Sequence, residues 1–272
     1  MTTFLDSVTP VLLTYNEAPN IQRSVSKLYW AQDVVVVDSG STDGTTAILK
    51  EFPNVRLFSR PFDTHGRQWR FATKETGIAT PWILRLDADY ELSDEFIAEL
   101  IALQPSMEVD ACEIGFNFAI YGKLLNSSLY PPNIILLRNG RFRVFDRGHT
   151  EAWSVDGPVQ QIKAHVIHDD RKPIAHWVIA QCRYMTLELE TVDHDRSLRG
   201  WLRRHPPLMP AVVLFYCLFV KGLIFDGEVG FFYVLQRTTA EAILSLLFLE
   251  RMLRAFLRLD GTRTVSNDRS KP

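Results

Sequence analysis

Four consecutive valines, Val34 to Val37, run without a break into Asp38. A β-branched run this dense is too short and stiff for a helix and offers no polar face to water. It reads as a strand buried on both sides, the kind found in parallel sheets covered by helices. Its neighbours agree. Val8–Leu13 is a second apolar run, and Pro19–Trp30 sets Ile21, Val25 and Leu28 at helical spacing with Pro in the first turn. Asp43–Phe52 reads as a helix, Asn54–Phe58 as a strand, His65–Ile78 as a helix and Trp82–Leu86 as a strand. Ser93 then caps a helix with Asp94 and Glu95 in its first turn and Phe96, Ile97, Leu100 and Ile101 on its apolar face. This alternation predicts an α/β fold with a doubly wound, mainly parallel sheet.

In such sheets ligands gather beyond the carboxyl ends of the strands. Three polar clusters fall there: Thr14-Tyr15-Asn16-Glu17, Asp38 to Gly44, and Asp87-Ala88-Asp89. Two carboxylates at i and i+2 past a strand can converge on Mg²⁺ or Mn²⁺, which would bridge the phosphates of a nucleotide; a turn with two solvated acids is the alternative. Asp38 leaves a buried strand directly into the crevice, where a fixed acceptor could take the N–H of a base. The glycines after it permit a tight turn, and Asp43 is placed to cap the next helix. Asn16 and Glu17 serve equally as site residues or as the start of a helix.

Residues 110–170 are less regular, with frequent Gly, Pro and Asn that suggest further strands and loops, and from Ala175 to about Leu202 the pattern is helical. Pro206–Val220 is 15 residues without a charge, but its three prolines and Lys221 make a poor spanning helix. Gln236–Leu259 is a better helix: Leu246, Leu249, Leu253 and Phe256 share a side, while Arg237, Arg251, Arg254 and Arg258 lie largely away from it. A basic amphipathic helix of this kind suits a membrane surface; a buried helical pair with its arginines wet is the alternative. Charge splits the same way. Residues 1–195 carry 18 Lys+Arg against 26 Asp+Glu, −8, and residues 196–272 carry 12 against 6, +6.

The hydrophobic content of 46% and aromatic content of 11% exclude a disordered chain. The basic residues keep company with apolar stretches rather than a polar groove, so no nucleic-acid partner is expected. The three cysteines have no metal or redox spacing and suit a reducing compartment, and the N-terminus does not read as a secretory signal.

VLLTYNE, VVVVDSGSTDGT and WILRLDAD, in that order and spacing over residues 8–100, resemble family 2 glycosyltransferases of GT-A fold. The resemblance implies inverting transfer from a nucleotide-sugar, with UDP the family's commonest nucleotide. It implies that Thr14, Tyr15 and Asp38 line the nucleoside pocket with Asn16 and Glu17 beside them, that Arg67 or Arg70 faces the base or phosphates, that Asp87 contacts ribose or donor sugar, and that Asp89 holds the metal. His168 completes the metal shell in this reading, with His165 as a buried core hydrogen-bond partner. The segments His168–Pro173, Gln181–Tyr184 and Lys221–Gly227 are similar to bacterial lipopolysaccharide core glucosyltransferases, which implies a lipid-linked or envelope glycan acceptor and a place at the cytoplasmic face of the membrane. Tyr90 stands where relatives often have an acid, and His149-Thr150-Glu151 where they often have adjacent His-Glu. An inverting displacement needs one general base; Glu151 is the first candidate, Asp146 the second, and Asp169 or Asp170 follow. The expected organisation is a GT-A catalytic domain over 1–195, with a nucleotide half 1–105 and an acceptor half 106–195, and a helical, membrane-associating extension over 196–272. A sugar-phosphate nucleotidyltransferase, a receiver-like domain and a catalytically dead membrane adaptor are the other readings. The nucleotidyltransferase is disfavoured because Thr14–Glu17 lacks the glycine and base of a phosphate loop.

Overall fold

The computed structural model describes residues 3–147, 150–206 and 208–266. They form two compact units that divide between Pro173 and Ile174. The first unit is a mixed α/β layer structure. Its strands are β1 (Val8–Thr14), β2 (Val34–Asp38), β3 (Val55–Ser59), β4 (Trp82–Asp87), β5 (Tyr90–Leu92), β6 (Ala111–Ile120), β7 (Lys123–Leu124), β8 (Asn133–Arg138), β9 (Phe142–Arg147), β10 (Thr150–Val155) and β11 (Val159–His168). Between them lie α1 (Ile21–Ser26), α2 (Thr45–Leu49), α3 (His65–Lys74) and α4 (Asp94–Ala102). The first two helices are shorter than the sequence predicts. The α4 cap is as read: Ser93 Oγ accepts the Phe96 N–H at 3.1 Å.

The valine run behaves as its composition demands. Val34 and Val36 enter the core on one face, with Ile21 and Val25 of α1, Leu28 just after it, and Phe96, Ile97 and Leu100 of α4. Val35 and Val37 enter the other, with Trp69 and Ala72 of α3. Each is fully buried, a contribution of about 1.5–3 kcal/mol per side chain.

The sheet runs β3-β2-β1-β4-β8-β6-β11-β5, with β7 on β6; β9 and β10 pair separately as an antiparallel ribbon. The β3-β2-β1-β4 half is parallel throughout. Beyond β4 the order is mixed: β8 is antiparallel to β4 and β6, and β5 to β11, while β6 and β11 are parallel. The sheet is thus mostly parallel, as expected, with β8 and β5 inserted antiparallel in its second half. The chain moves outward from β1 to β3 and then returns to the other side of β1 as β4, so a topological switch point opens between β1 and β4.

The connection from β4 to β5 curls the sheet. Asp87 and Tyr90 are three residues apart, a reach of at most about 11 Å, yet β4 and β5 are four ladder steps apart, about 19 Å in a flat sheet. Curling closes that gap and seats Tyr90 opposite His168 in the β5–β11 register.

The second unit comprises α5 (Ile174–Val192), α6 (Leu198–Arg203), α7 (Leu208–Phe215), a π-helical turn (Tyr216–Val220), a 3-10 turn (Leu223–Asp226) and α8 (Gly227–Ser266). The sequence pattern suggested one helical stretch over 175–202; it is two, broken where Asp195 accepts the Ser197 N–H and Ser197 caps α6. The boundary lies earlier than 195/196 because Met185, Leu189 and Val192 of α5 pack on Leu244 and Phe248 of α8. That helix starts at Gly227, ahead of the expected Gln236. Arg203 is buried and is held by Glu241 Oε1 and Oε2 at 2.7 and 3.0 Å and by Glu188 at 2.6 Å. The shared side of Leu246, Leu249, Leu253 and Phe256 is exposed; the side chain of Arg258 lies outside the described residues. Among the described residues no single helix is long and apolar enough to cross a membrane. Leu208–Val220 with Leu223–Leu257, bent by 73°, pass that test only as a pair, by length and composition.

Candidate functional site

The sheet register sets Thr14 beside Asp38 and Leu13 beside Asp87, so the ends of β1, β2 and β4 share one level. Asp38 is buried there and its acceptors are committed. Oδ1 takes the hydroxyls of Thr14 at 3.0 Å and Ser41 at 2.5 Å; Oδ2 takes the backbone N–H of Gly40 at 2.9 Å and Ser41 at 2.8 Å. A carboxylate has about four lone-pair positions. Asp38 thus organises its own loop rather than standing open to a base, which corrects the expectation of a vacant acceptor. Asn16, at φ 54°, ties the first cluster to the same loop: its N–H donates to Ser41 Oγ and its Oδ1 accepts from Thr42 N, both at 2.8 Å. Asp43 accepts from Thr45 N at 3.1 Å and from Ala18 N at 3.0 Å, which fixes the start of α2. Tyr15 is exposed at the rim.

Asp87 faces the open crevice. Burial of its surroundings and then the charge of Asp89 raise its pKa, against Arg85. Asp89 Oδ2 lies 3.1 Å from His168 Nε2. Burial alone would raise Asp89, but His168 and then Lys172 hold it below its ordinary value. Burial alone would lower His168, but Asp89 overcomes that and keeps the imidazolium favoured. Asp89 Oδ1 and His168 Nδ1 are both buried without a partner. An unsatisfied buried polar atom costs about 1–3 kcal/mol, so these two mark positions that a ligand can fill. The carboxylate oxygen suits a hard divalent cation such as Mg²⁺ or Mn²⁺, and an imidazole beside it favours Mn²⁺ of the two. They fit as part of a shell, since among the described residues no group of three His, Cys, Asp or Glu converges to hold a metal alone. His165 is not a core residue: it is exposed, with Nδ1 2.9 Å from Asn117 Oδ1.

Behind these groups lies a network that the sequence did not announce. Asn20, fully buried, donates to Glu17 Oε2 at 2.9 Å and Asp170 Oδ1 at 2.8 Å and accepts from Arg23 and Arg171 N. Lys172 Nζ is 2.7 Å from Glu17 Oε1, and burial pushes Glu17 up to about 7 while Lys172 pulls the other way. Asp169, buried, gathers Arg23, Arg171 and the Gly122 N–H on Oδ2, and its own N–H donates to Asp89 O at 3.1 Å. Glu17, Asp169 and Asp170 are therefore structural neighbours of the acids rather than open bases.

Asp146 caps α3: Oδ1 accepts Gly66 N at 2.8 Å and Oδ2 accepts Thr64 Oγ1 at 3.0 Å. These two bonds tie the β9–β10 ribbon to the start of α3. Glu151, opposite Asp146 in the β9–β10 ribbon, gives Oε1 to Arg85 at 2.9 Å and to Trp153 Nε1 at 3.3 Å. Among the described residues no donor takes Oε2. His149 lies outside the described residues. Arg85 is buried, with its guanidinium 4.9 Å from the Trp153 ring and 5.8 Å from Trp69. It was the missed residue with a signal: it is the lone charge inside the apolar strand Trp82–Leu86. Asn20 had no such signal. Arg67 and Arg70 are exposed on α3; Arg67 lies 3.6 Å from Asp63 and Arg70 reaches the Val144 carbonyl at 3.4 Å.

Residues 10–145, half of the chain, match the model of the family described as Glycosyl transferase family 2. The lipopolysaccharide core biosynthesis glycosyltransferase LpsC of Rhizobium meliloti is 27% identical over 144 residues, 50% of this chain and 50% of that protein. An uncharacterized glycosyltransferase of Rickettsia bellii is 36% identical over 104 residues, 38% of this chain and 34% of that one. The matches thus span half or less of those relatives' lengths. Among solved structures, S. aureus TarS 1–349 in complex with UDP-GlcNAc aligns with a TM-score of 0.48 and 14% identity over 82% of this chain and 76% of that one. Glucosyl-3-phosphoglycerate synthase from Mycobacterium tuberculosis, in complex with Mn²⁺, UDP and phosphoglyceric acid, aligns with a TM-score of 0.44 and 14% identity over 68% and 78%.

Proposed function

Because the chain belongs to glycosyl transferase family 2, we propose that it moves a hexosyl group from a nucleotide-sugar, UDP-linked, to a hydroxyl of a lipid-linked or envelope glycan, with inversion and with Mg²⁺ or Mn²⁺. The observation that carries this reading is the unpartnered, buried Asp89 Oδ1 paired across Oδ2 with His168, at the switch point of the sheet. When bound, the cation supplies positive charge to a departing diphosphate. Asp89 and His168 hold it, with Asp87 beside them toward the donor. Thr14 and Asp38 shape the nucleoside loop, where Ser39–Gly44 lets the backbone approach closely. Tyr15 offers its exposed ring to the base, Asn16 and Glu17 brace the loop, and Arg67 and Arg70 stand at the rim for the phosphates. Glu151 is the general base: Arg85 fixes Oε1, and Oε2 takes the proton of the acceptor hydroxyl.

The helical unit sits peripherally on the cytoplasmic face of the membrane in this proposal. Support comes from the exposed Phe219, Phe225, Leu246 and Phe256 within residues 196–272, whose sequence carries net charge +6, a match for an anionic leaflet. Calorimetric titration with UDP, GDP, CDP and dTDP, with and without Mn²⁺, tests the donor class. We expect UDP to bind with metal and to lose most of that affinity without it or in Asp89→Ala; the absence of binding by any nucleotide would overturn the assignment.

A further inference from the structure

A cavity of about 280 Å³ opens on the β6–β11 side of the first unit, lined by polar groups from Asn117, Asn126, Ser127, Ser128 and His165. No Lys, Arg, Asp or Glu lines it. Its other wall is aromatic, from Phe118 and Tyr130, whose rings continue onto His168 at centroid separations of 4.7 and 4.5 Å. Amides and hydroxyls facing rings, without charge, suit a neutral polyhydroxyl ring, which offers both hydrogen-bonding edges and a C–H face. A phosphate or carboxylate would find no Lys or Arg here among the described residues. The volume lies at the small end of ligand sites, the scale of one sugar ring.

We infer that this cavity is an acceptor-sugar subsite, a reading that rests on the transferase proposal above. None of its lining comes from β1, β2 or β4, whose ends carry the candidate nucleotide groups, and the rings of Phe118 and Tyr130 adjoin the His168 that pairs with Asp89. A sugar held here sits next to the transfer site while remaining outside the donor's loops. Two features show that the polar wall is built. The Nδ1 of His165 is tied to Asn117 Oδ1 at 2.9 Å. Gly115 lets the imidazole lie on the strand, since a Cβ there would stand 2.6 Å from His165 Nε2. Ser128 Oγ accepts the Tyr130 N–H at 3.2 Å and so fixes the turn that carries the aromatic wall.

Saturation-transfer NMR on the full chain, with methyl α-glycosides of glucose, galactose and mannose as probes, tests the subsite. At least one glycoside should bind, and it should stay bound when UDP-glucose is added. Asn117→Ala with Ser127→Ala should weaken it about five- to tenfold through lost hydrogen bonds. Gly115→Ala should weaken it by displacing the exposed His165 ring, with the melting temperature unchanged. If no glycoside binds, if UDP-glucose displaces it, or if both variants bind as the parent does, the subsite is overturned. UDP titrated into the same sample separates the two proposals: UDP without glycoside binding removes the subsite alone, and glycoside without UDP binding removes the donor assignment while leaving the sugar site.

Discussion

In the unit that ends at Pro173, charged side chains turn inward and pair; in the unit that starts at Ile174, apolar side chains turn outward. Arg85, Asp38 and Asp169 are all less than 5% exposed, while Phe219, Phe225, Leu246 and Phe256 are each at least 60% exposed. Both arrangements run against the ordinary partition of residues. Buried charge is tolerated where hydrogen bonds satisfy it, and it then fixes geometry closely, as the three donors on Asp169 do for the loop next to Asp89. Exposed apolar area is tolerated where something other than water covers it. The first unit holds its charged groups in place, and the second carries apolar side chains on its outside, the face that the proposal above sets against a membrane.

The largest effects should come from breaking the inward charges. Asp169→Ala removes the shared acceptor of Arg23, Arg171 and Gly122 N and should cost about 3–5 kcal/mol in urea unfolding. Arg203→Met is the matched change in the helical unit, leaving the buried Glu241 only Arg199 at 3.6 Å, and should cost a similar amount or somewhat less. If Arg203→Met were neutral, the polar pair of the second unit would be incidental and the contrast between units sharper than drawn. Asp89→Asn takes the charge from the His168 pair, so it should cost some stability and should lower glycosyl transfer about 10²–10³-fold, the scale for removing one electrostatic stabiliser of developing charge. Transfer at the parent rate would remove Asp89 from the reaction.

Much of the first unit was legible because its physics is local. The Val34–Val37 run, the helical spacing of Ile21, Val25 and Leu28, and Ser93 before an acidic turn all act within a few residues. The positions of Asp38, Asp87 and Asp89 followed from strand ends. Their partners did not. That Asp146 caps α3 and that Glu151 meets Arg85 depend on segments 82 and 66 residues apart meeting in space, and that Asp38 turns back on Gly40 and Ser41 depends on a loop conformation the sequence does not dictate. The helical boundary failed for a related reason: α5 reads the same whether its apolar side packs on a sheet or on α8.

The outward face is tested by a smaller change. Leu249→Glu with Leu253→Glu alters two exposed positions, so unfolding should shift by about 0.5 kcal/mol or less per site. Partition onto vesicles of anionic lipid should fall by about tenfold or more per leucine, the cost of losing about 1.5–3 kcal/mol of apolar transfer. Unchanged partition would mean that another face meets the bilayer, or that none does.

The last expectation concerns protons on the Asp89–His168 pair. His168 is raised above 6.5, so its stabilisation is fully present below that value and is lost as pH rises through the folded pKa. Asp89 is lowered below 3.8, so its share is present above that value and is lost as pH falls through its folded pKa. The metal-free chain should accordingly draw most from the pair between those two values and less once His168 deprotonates. Mn²⁺ reverses the sense on the alkaline side, because it competes with the His168 proton. Its affinity should rise with pH, by at most about tenfold per unit, until the imidazole is neutral. Calorimetry of Mn²⁺ with UDP on both sides of 6.5 reads the slope, and His168→Gln should flatten it. A slope that survives His168→Gln would assign the titrating group elsewhere, with Glu17, raised to about 7, the next to replace.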